Sequence, residues 1–402
     1  MRTEATATVP APGSPQPETD APFWQDPDKR AIVFQALALG IVLLVGYYLF
    51  SNTQANLERQ NIATGFGFMK KEAAFEIGES PISYSAADTY ARALLVGVLN
   101  TLKVSFIGII LTVILGALVG VARLSTNWLL SRMAAIYIEV LQDIPVLLQF
   151  FFWYAVFYEI PPSPRRAIQP MDGIFLSNRG LVFAIPESHP AHGWMLAALG
   201  IAVLAIWAIR VWTRKRQART GQIFPIFPVS VGLMLGLPAL VWLTGGAPMA
   251  MNVPRLQGFN FKGGMNVSPE FTALLLGLVL YTAAFVAEIV RAGIQSVSKG
   301  QTEAAMSLGL RPGRILSLVI LPQALRVIIP PLTSQMLNLT KNSSLAVAIG
   351  YPDFVSVANT SINQTGQAIE GVALIMAVYL CFSLLTSLFM NWYNKRTQLV
   401  ER

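Results

Sequence analysis

Apolar positions in this chain fall into long blocks, with no strict alternation and no narrow helical stripe. Residues 31–50 form a 20-residue stretch without a charge. At about 1.5 Å per helical residue it spans about 30 Å, the thickness of a bilayer's hydrocarbon layer. Further apolar blocks lie at 104–122, 144–158 (extended back through Tyr137), 193–209, the middle of 220–254, 271–287, 315–340 and 371–394. Together they predict about eight transmembrane helices in an all-α, polytopic membrane protein. The third block carries Glu139 and Asp143, and the seventh carries Arg326 with three prolines.

Composition agrees with the pattern. Of 402 residues, 54% are hydrophobic and 12% charged, about half the charged share of a soluble domain, so a set of soluble domains is excluded. The net charge of +8 could suggest a nucleic-acid partner, but no dense basic face or RNA-binding signature accompanies it, and none is expected. The basic residues sit instead at block ends: Lys29 and Arg30, then Arg210, Arg214, Lys215, Arg216 and Arg219, then Lys395 and Arg396. With eight spans these ends share one side, which the positive-inside rule assigns to the cytoplasm, so both termini are expected there. Residues 51–91 then form an exported loop, and 159–269 hold exported loops around two further helices. The Pro-rich stretch 1–30 reads as a disordered cytoplasmic tail, and 395–402 as a short one. No cleavable signal peptide is expected, because the first apolar block begins only at Ala31. A single Cys381 excludes an intrachain disulfide and Cys-based metal sites.

Ionisable groups within apolar blocks are functional candidates by default. Glu139 and Asp143 share a helical face with Gln142 beside them. One carboxylate could receive a cationic group of a solute, an α-ammonium among them; alternatively, Glu139 pairs with a base and Asp143 caps a break before Pro145. Lys341, after a bend expected at Pro330-Pro331, could meet a substrate carboxylate where Asn342, Ser343 and Ser344 cluster. Asn100 is a further pathway candidate. Lys103 is expected to snorkel to the interface, and Glu288 to pair with Arg291. Gly108, Thr112, Gly116 and Gly120 make a face of small residues suited to close helix packing, with pore lining as the other reading. His189 and His192 have metal-like spacing in an exported loop but no evident third ligand. No catalytic set is evident.

The cytoplasmic stretch after the sixth block runs Val297-Ser298-Lys299-Gly300-Gln301-Thr302-Glu303-Ala304-Ala305-Met306-Ser307-Leu308-Gly309. Ser298 with Gln301 fits a capping box and Gly309 a left-handed helix end, predicting a short helix. Pro312 can open the next one. Ala304 and Ala305 would allow close approach to another protein; a connector lying on the membrane is the plainer reading.

These residues carry a resemblance. Glu303-Ala304-Ala305, Gly309 six positions after the Glu, Val319 where Ile is more usual, and Leu321-Pro322 resemble the EAA loop of ABC-importer permeases. Ala287-Glu288-Ile289-Val290-Arg291-Ala292-Gly293-Ile294, Leu321-Pro322-Gln323-Ala324-Leu325-Arg326 and Lys341-Asn342-Ser343-Ser344-Leu345 resemble the polar amino-acid branch, as do Asn100-Thr101-Leu102 and Tyr137-Ile138-Glu139 with Pro145. The resemblance covers 92–158 and 270–394, with the coupling loop at 297–322. An additional helix at 31–50 and an inserted helix pair make it similar to the longer permeases of general L-amino-acid importers. Gln142 stands where the family usually has Arg, and Lys341-Asn342-Ser343 where it usually has Lys-Asp-Thr.

The resemblance implies a type I ABC-importer permease fold in a bacterial inner membrane. It implies a heterodimer with a homologous permease, and an ABC ATPase dimer that seats the Glu303-Ala304-Ala305-Gly309 loop. It also implies a periplasmic amino-acid-binding protein and an L-amino acid substrate that crosses by alternating access. No GxxxxGK[ST] loop occurs, so ATP and Mg would be held by the partner ATPase and no cofactor directly. An ion-coupled secondary transporter is the alternative, since helices broken at Pro322 and Pro330-Pro331 suit that class too.

Overall fold

The computed structural model describes residues 27–59 and 64–397. Of the Pro-rich tail expected at 1–30, residues 1–26 lie outside them, and 27–30 are helical, the first turn of α1. Residues 1–65 and 66–402 form two units. The first contains helix α1 (Pro27–Arg59), where Leu37, Leu44, Tyr47 and Phe50 are each more than half exposed, as side chains facing lipid would be.

The second unit contains α2 (Tyr90–Arg123), α3 (Trp128–Asp143), α4 (Val146–Tyr158), α5 (Pro190–Thr220), α6 (Ile226–Thr244) and α7 (Pro269–Gln295). After these come α8 (Lys299–Ser307), α9 (Pro312–Ile315), a π-helical turn (Leu316–Ile320), α10 (Leu321–Asn342), a 3-10 helix (Ser343–Ile349), α11 (Phe354–Thr365) and α12 (Ala368–Thr397). Among the described residues seven helices are long and apolar enough to cross a membrane, and a bent pair can supply an eighth span.

In that pair the block read as one span through 137–158 is broken before Pro145, as one of the two readings expected, and α3 and α4 meet at 104°. Pro145 disfavours a helical conformation at the residue before it, and Ile144 is extended at φ −87°, ψ 122°. The break frees carbonyls, and the Gln149 side-chain amide donates to two of them, Leu141 O and Ile144 O, both at 3.0 Å. A second difference concerns Pro330-Pro331, which α10 passes through without ending. The helical geometry changes only at Ser343, where the 3-10 segment begins.

The core is centred on α7 and α2. A Cβ at Gly116 would lie 2.5 Å from Val286 Cγ1, and one at Gly120 would lie 2.6 Å from Ala287 O. The small face of α2 is therefore a packing face, because any larger side chain would push the two backbones apart. At this contact Val286, Val290, Ala324, Ile328 and Met336 form one buried cluster, and nearer the start of α7 Val104, Phe150, Leu274, Leu278, Leu339 and Tyr351 form another.

The segments expected to be exported loops, before α5 and after α6, contain strands. Strands β1 (Ile168–Met171), β2 (Ile174–Ser177), β3 (Gly180–Phe183) and β4 (Ile185–Pro186) precede α5. Strands β5 (Met251–Asn252), β6 (Arg255–Gln257), β7 (Asn260–Lys262) and β8 (Met265–Val267) follow α6. The main sheet is antiparallel in the order β1-β2-β3-β8, with β4-β5 and β6-β7 as separate ribbons. Leu181 pairs with Val267, Val182 with Asn266 and Phe183 with Met265. The excursion through α5 and α6 thus leaves and returns on neighbouring strands, so the helix pair is accommodated without displacing α4 or α7.

Candidate functional site

Function-bearing groups gather at the two ends of α7, whose 27 residues place them about 40 Å apart. At its C-terminal end Ser296 caps the helix, and its hydroxyl donates to Gly293 O at 2.8 Å. After a two-residue step comes α8. Ser298 occupies the N-cap position, but its side chain makes no capping hydrogen bond, so the expected capping box with Gln301 is not formed. The far end closes as a Schellman turn: Gly309 N–H donates to Met306 O at 2.8 Å and Leu310 N–H to Ala305 O at 3.2 Å. This turn needs a left-handed residue, and Gly309 supplies φ +73°.

Within α8, Ala305 is turned inward at 4% exposure, against the turn that follows. Glu303 and Ala304 face outward, as do Met306 at 58% and Leu308 at 80% exposure. Of the Glu-Ala-Ala triad, the first two residues are thus available to a partner and the third anchors the helix to its own chain.

Pro312 stands in the first turn of α9, and Pro322 explains the π-turn behind it. Proline has no N–H and its ring crowds the carbonyl four residues earlier. The chain widens there, and Leu321 N–H reaches back five residues to Leu316 O. The Gln323 amide donates to Val319 O at 3.0 Å.

The pathway candidates are distributed unevenly. Glu139 and Asp143 are exposed and Gln142 half-buried. Lys341 is exposed, Asn342 and Ser344 are half-buried and Ser343 is buried. Among the described residues no hydrogen bond or ion pair joins the α3 carboxylates to Lys341. The hydroxyls of Ser343 and Ser344 donate to Thr340 O and Lys341 O, each at 2.7 Å, closing the end of α10.

Asn100 is fully buried, and its amide donates to Glu79 O at 2.8 Å and Pro352 O at 2.9 Å. Its neighbour Thr101 accepts from Phe354 N–H at 3.0 Å. The Asn100-Thr101 pair thereby ties α2 to the start of α11, and Tyr351 strengthens the tie by donating to Asn100 O at 3.3 Å. Glu288 and Arg291 pair as expected, with Arg291 Nε at 2.9 Å from Glu288 Oε2. His189 caps α5, its Nδ1 accepting from Ala191 N–H at 3.1 Å.

Sequence reasoning missed the groups at the N-terminal end of α7. Lys103, expected at the lipid interface, instead pairs with Glu79 at 2.5 Å and lies 4.5 Å over the Phe271 ring. Glu79 also accepts from the Ser268 hydroxyl at 2.8 Å. Asp353 caps α11 by accepting from Ser356 N–H at 2.8 Å and accepts from Tyr379 at 3.3 Å. Burial raises its carboxyl to about 7, against the lowering effect of those hydrogen bonds. The only local signal was Ser268-Pro269-Glu270, a helix start in which Ser268 accepts from Phe271 N–H at 3.1 Å. Beneath the strands lies a polar cavity of about 520 Å³, walled in part by Glu79, Asn178, Arg179, Ser268 and Glu270.

The described residues thus form a helical membrane body with a short exposed helix at one end of α7 and a cavity at the other. The family described as binding-protein-dependent transport system inner membrane component matches residues 218–399. The general L-amino acid transport system permease protein AapQ of Rhizobium johnstonii is 49% identical, with 100% of both chains covered. The putative amino-acid ABC transporter permease protein YhdX of Escherichia coli is 50% identical over 94% of this chain and 96% of its own. The glutamate/glutamine/aspartate/asparagine transport system permease protein BztB of Rhodobacter capsulatus is 41% identical over 93% and 95%. The chain belongs to this family of multi-pass inner-membrane permease components, in its amino-acid ABC branch. These relatives are named as permease proteins of transport systems, and they lend no support to the ion-coupled alternative.

Proposed function

We propose that this chain is one permease subunit of an ATP-driven importer of polar L-amino acids, paired with a homologous permease. A separate ATPase dimer holds ATP and Mg and seats α8, and a periplasmic binding protein delivers the amino acid to the opposite side. Both termini lie in the cytoplasm on this reading, since the basic block ends and α8 then share that side. The cores 92–158 and 270–394 form its half of the pathway, and Glu139, Gln142, Asp143 and Lys341–Ser344 are its candidate contacts.

The observation that carries the proposal is the outward face of α8. Met306 and Leu308 stand 58% and 80% exposed beside Glu303, and covering each side chain contributes roughly 1.5–3 kcal/mol. A partner surface that receives the helix gains that energy. The Schellman turn at Gly309 and the inward Ala305 hold the helix rigid enough to transmit a push.

Replacing Glu303 with Lys should release the ATPase from the purified complex and abolish ATP-driven amino-acid uptake in reconstituted vesicles. Intact assembly with normal uptake would refute the coupling role. Uptake driven by an ion gradient without ATP would refute the whole proposal.

A further inference from the structure

The cavity at the N-terminal end of α7 has no assigned role. Its volume of about 520 Å³ lies within the ~300–1,000 Å³ typical of small-molecule sites. Separate parts of the chain build it: the 75–79 segment, Tyr158 at the end of α4, the β2–β3 turn, Asn260 and Asn266 of the later strands, the starting turn of α7, and the 350–360 stretch. Its polar groups differ in how far they are already occupied. Glu79 is neutralised by Lys103 and hydrogen-bonded to Ser268. On Glu270, Oε1 accepts from Tyr154 at 3.3 Å, which leaves Oε2 for another donor. Arg179 stands exposed at the tip of the two-residue turn between β2 and β3. The Asn178 side-chain oxygen is buried without a hydrogen-bond donor, and a buried acceptor left unmatched costs about 1–3 kcal/mol.

A free amino acid has the complementary chemistry. Its α-carboxylate suits the planar fork of a guanidinium, and its α-ammonium supplies the donors that Glu270 and Asn178 lack. We infer that this cavity is an outer waiting site for the zwitterion, with Arg179 receiving the α-carboxylate and Glu270 with Asn178 receiving the α-ammonium. Asn260 and Asn266 on the same wall can donate or accept, so side chains of either charge are tolerated. The inserted segment then has a function: its β2–β3 turn contributes the one cationic side chain that the cavity wall has among the described residues.

The inference rests on the importer reading, and its test separates the two. The assembled wild-type complex, in nanodiscs without binding protein, would be titrated with L-glutamine and read by saturation-transfer NMR. Binding at millimolar concentration is expected, with the dissociation constant raised about tenfold in Arg179→Gln and in Glu270→Gln, equivalent to one charge-assisted contact. Arg179→Lys should fall between, which checks that the effect is chemical and not a folding defect. The site is overturned if wild type shows no saturable binding, or if both neutral variants bind like wild type. It is also overturned if the variants lose only their hold on purified binding protein, which would make this a protein-docking face. Failure of ATP-driven uptake by the wild-type complex would overturn the importer reading instead.

Discussion

Helices α6 and α7 are both apolar enough to cross a membrane, yet α7 buries about half of its length inside the protein and α6 buries none of its residues. Hydropathy reports only avoidance of water, and lipid tails are as apolar as a leucine-rich core. Small residues do not separate them either. Gly232 and Gly236 in α6 are four apart, as are Gly116 and Gly120 in α2, but a Cβ at the first pair meets nothing within 4 Å. What separates the helices is polar anchoring: α7 begins in the Glu79–Lys103–Ser268 network and α2 is tied through Asn100 and Thr101 to α11. The inserted pair is closed by strands at one end, and α6 buries none of its residues.

The sharpest way to break this comparison is one chemical change at both places. Gly116→Val should cost about 3 kcal/mol or more, because Val286 stands where the new side chain must go. Little folded protein should survive detergent size-exclusion chromatography. Gly236→Val should stay within about 1 kcal/mol of wild type, and equal losses at the two sites would erase the distinction.

The polar anchor at the start of α7 comes next. A double-mutant cycle of Lys103→Met with Glu79→Gln should give a coupling of about 1–2 kcal/mol in thermal unfolding; additive effects would mean the pair contributes nothing. For Asp353 the expected effect is a pH slope. Its carboxyl is raised to about 7 from about 3.9 in an unfolded chain. Between those values the folded protein holds a proton that the unfolded chain has lost. Stability should therefore fall as pH rises through that window and level off above it. Asp353→Asn should flatten the slope and be the more stable form at pH 8, by on the order of 1–2 kcal/mol, checked by melting curves at pH 5.5 and 8. The smallest effect is expected for Gly200→Ala in α5, a gain of at most about 1 kcal/mol from helix propensity, measured in the same assay.

Much of the α8 end of α7 was legible. Glu303, Gly309 and Pro312 sit close together in sequence, and a short helix with its C-terminal turn is a local event, although the Ser298–Gln301 capping box did not form. The departures from expectation are also local in cause, but their outcome needed the fold. Pro145 predicts a break, while its sharpness depends on Gln149 satisfying the freed carbonyls. Pro330-Pro331 suggested a bend, yet the surrounding packing holds α10 helical through it. Asn100 read as a pathway residue because it is polar within an apolar block. Its partners Glu79 and Pro352 are 21 and 252 residues away, and no spacing rule could supply them.

By itself the sequence determined where the chain avoids water, where its basic residues collect and which loop carries the coupling signature. Each follows from composition over a short window. Only the tertiary structure decided which apolar helices face protein and which face outward, which polar groups satisfy one another, and that the strands around the inserted pair roof a cavity at the start of α7. Those outcomes depend on contacts between residues far apart in the chain, and their energies exist only once the chain has folded.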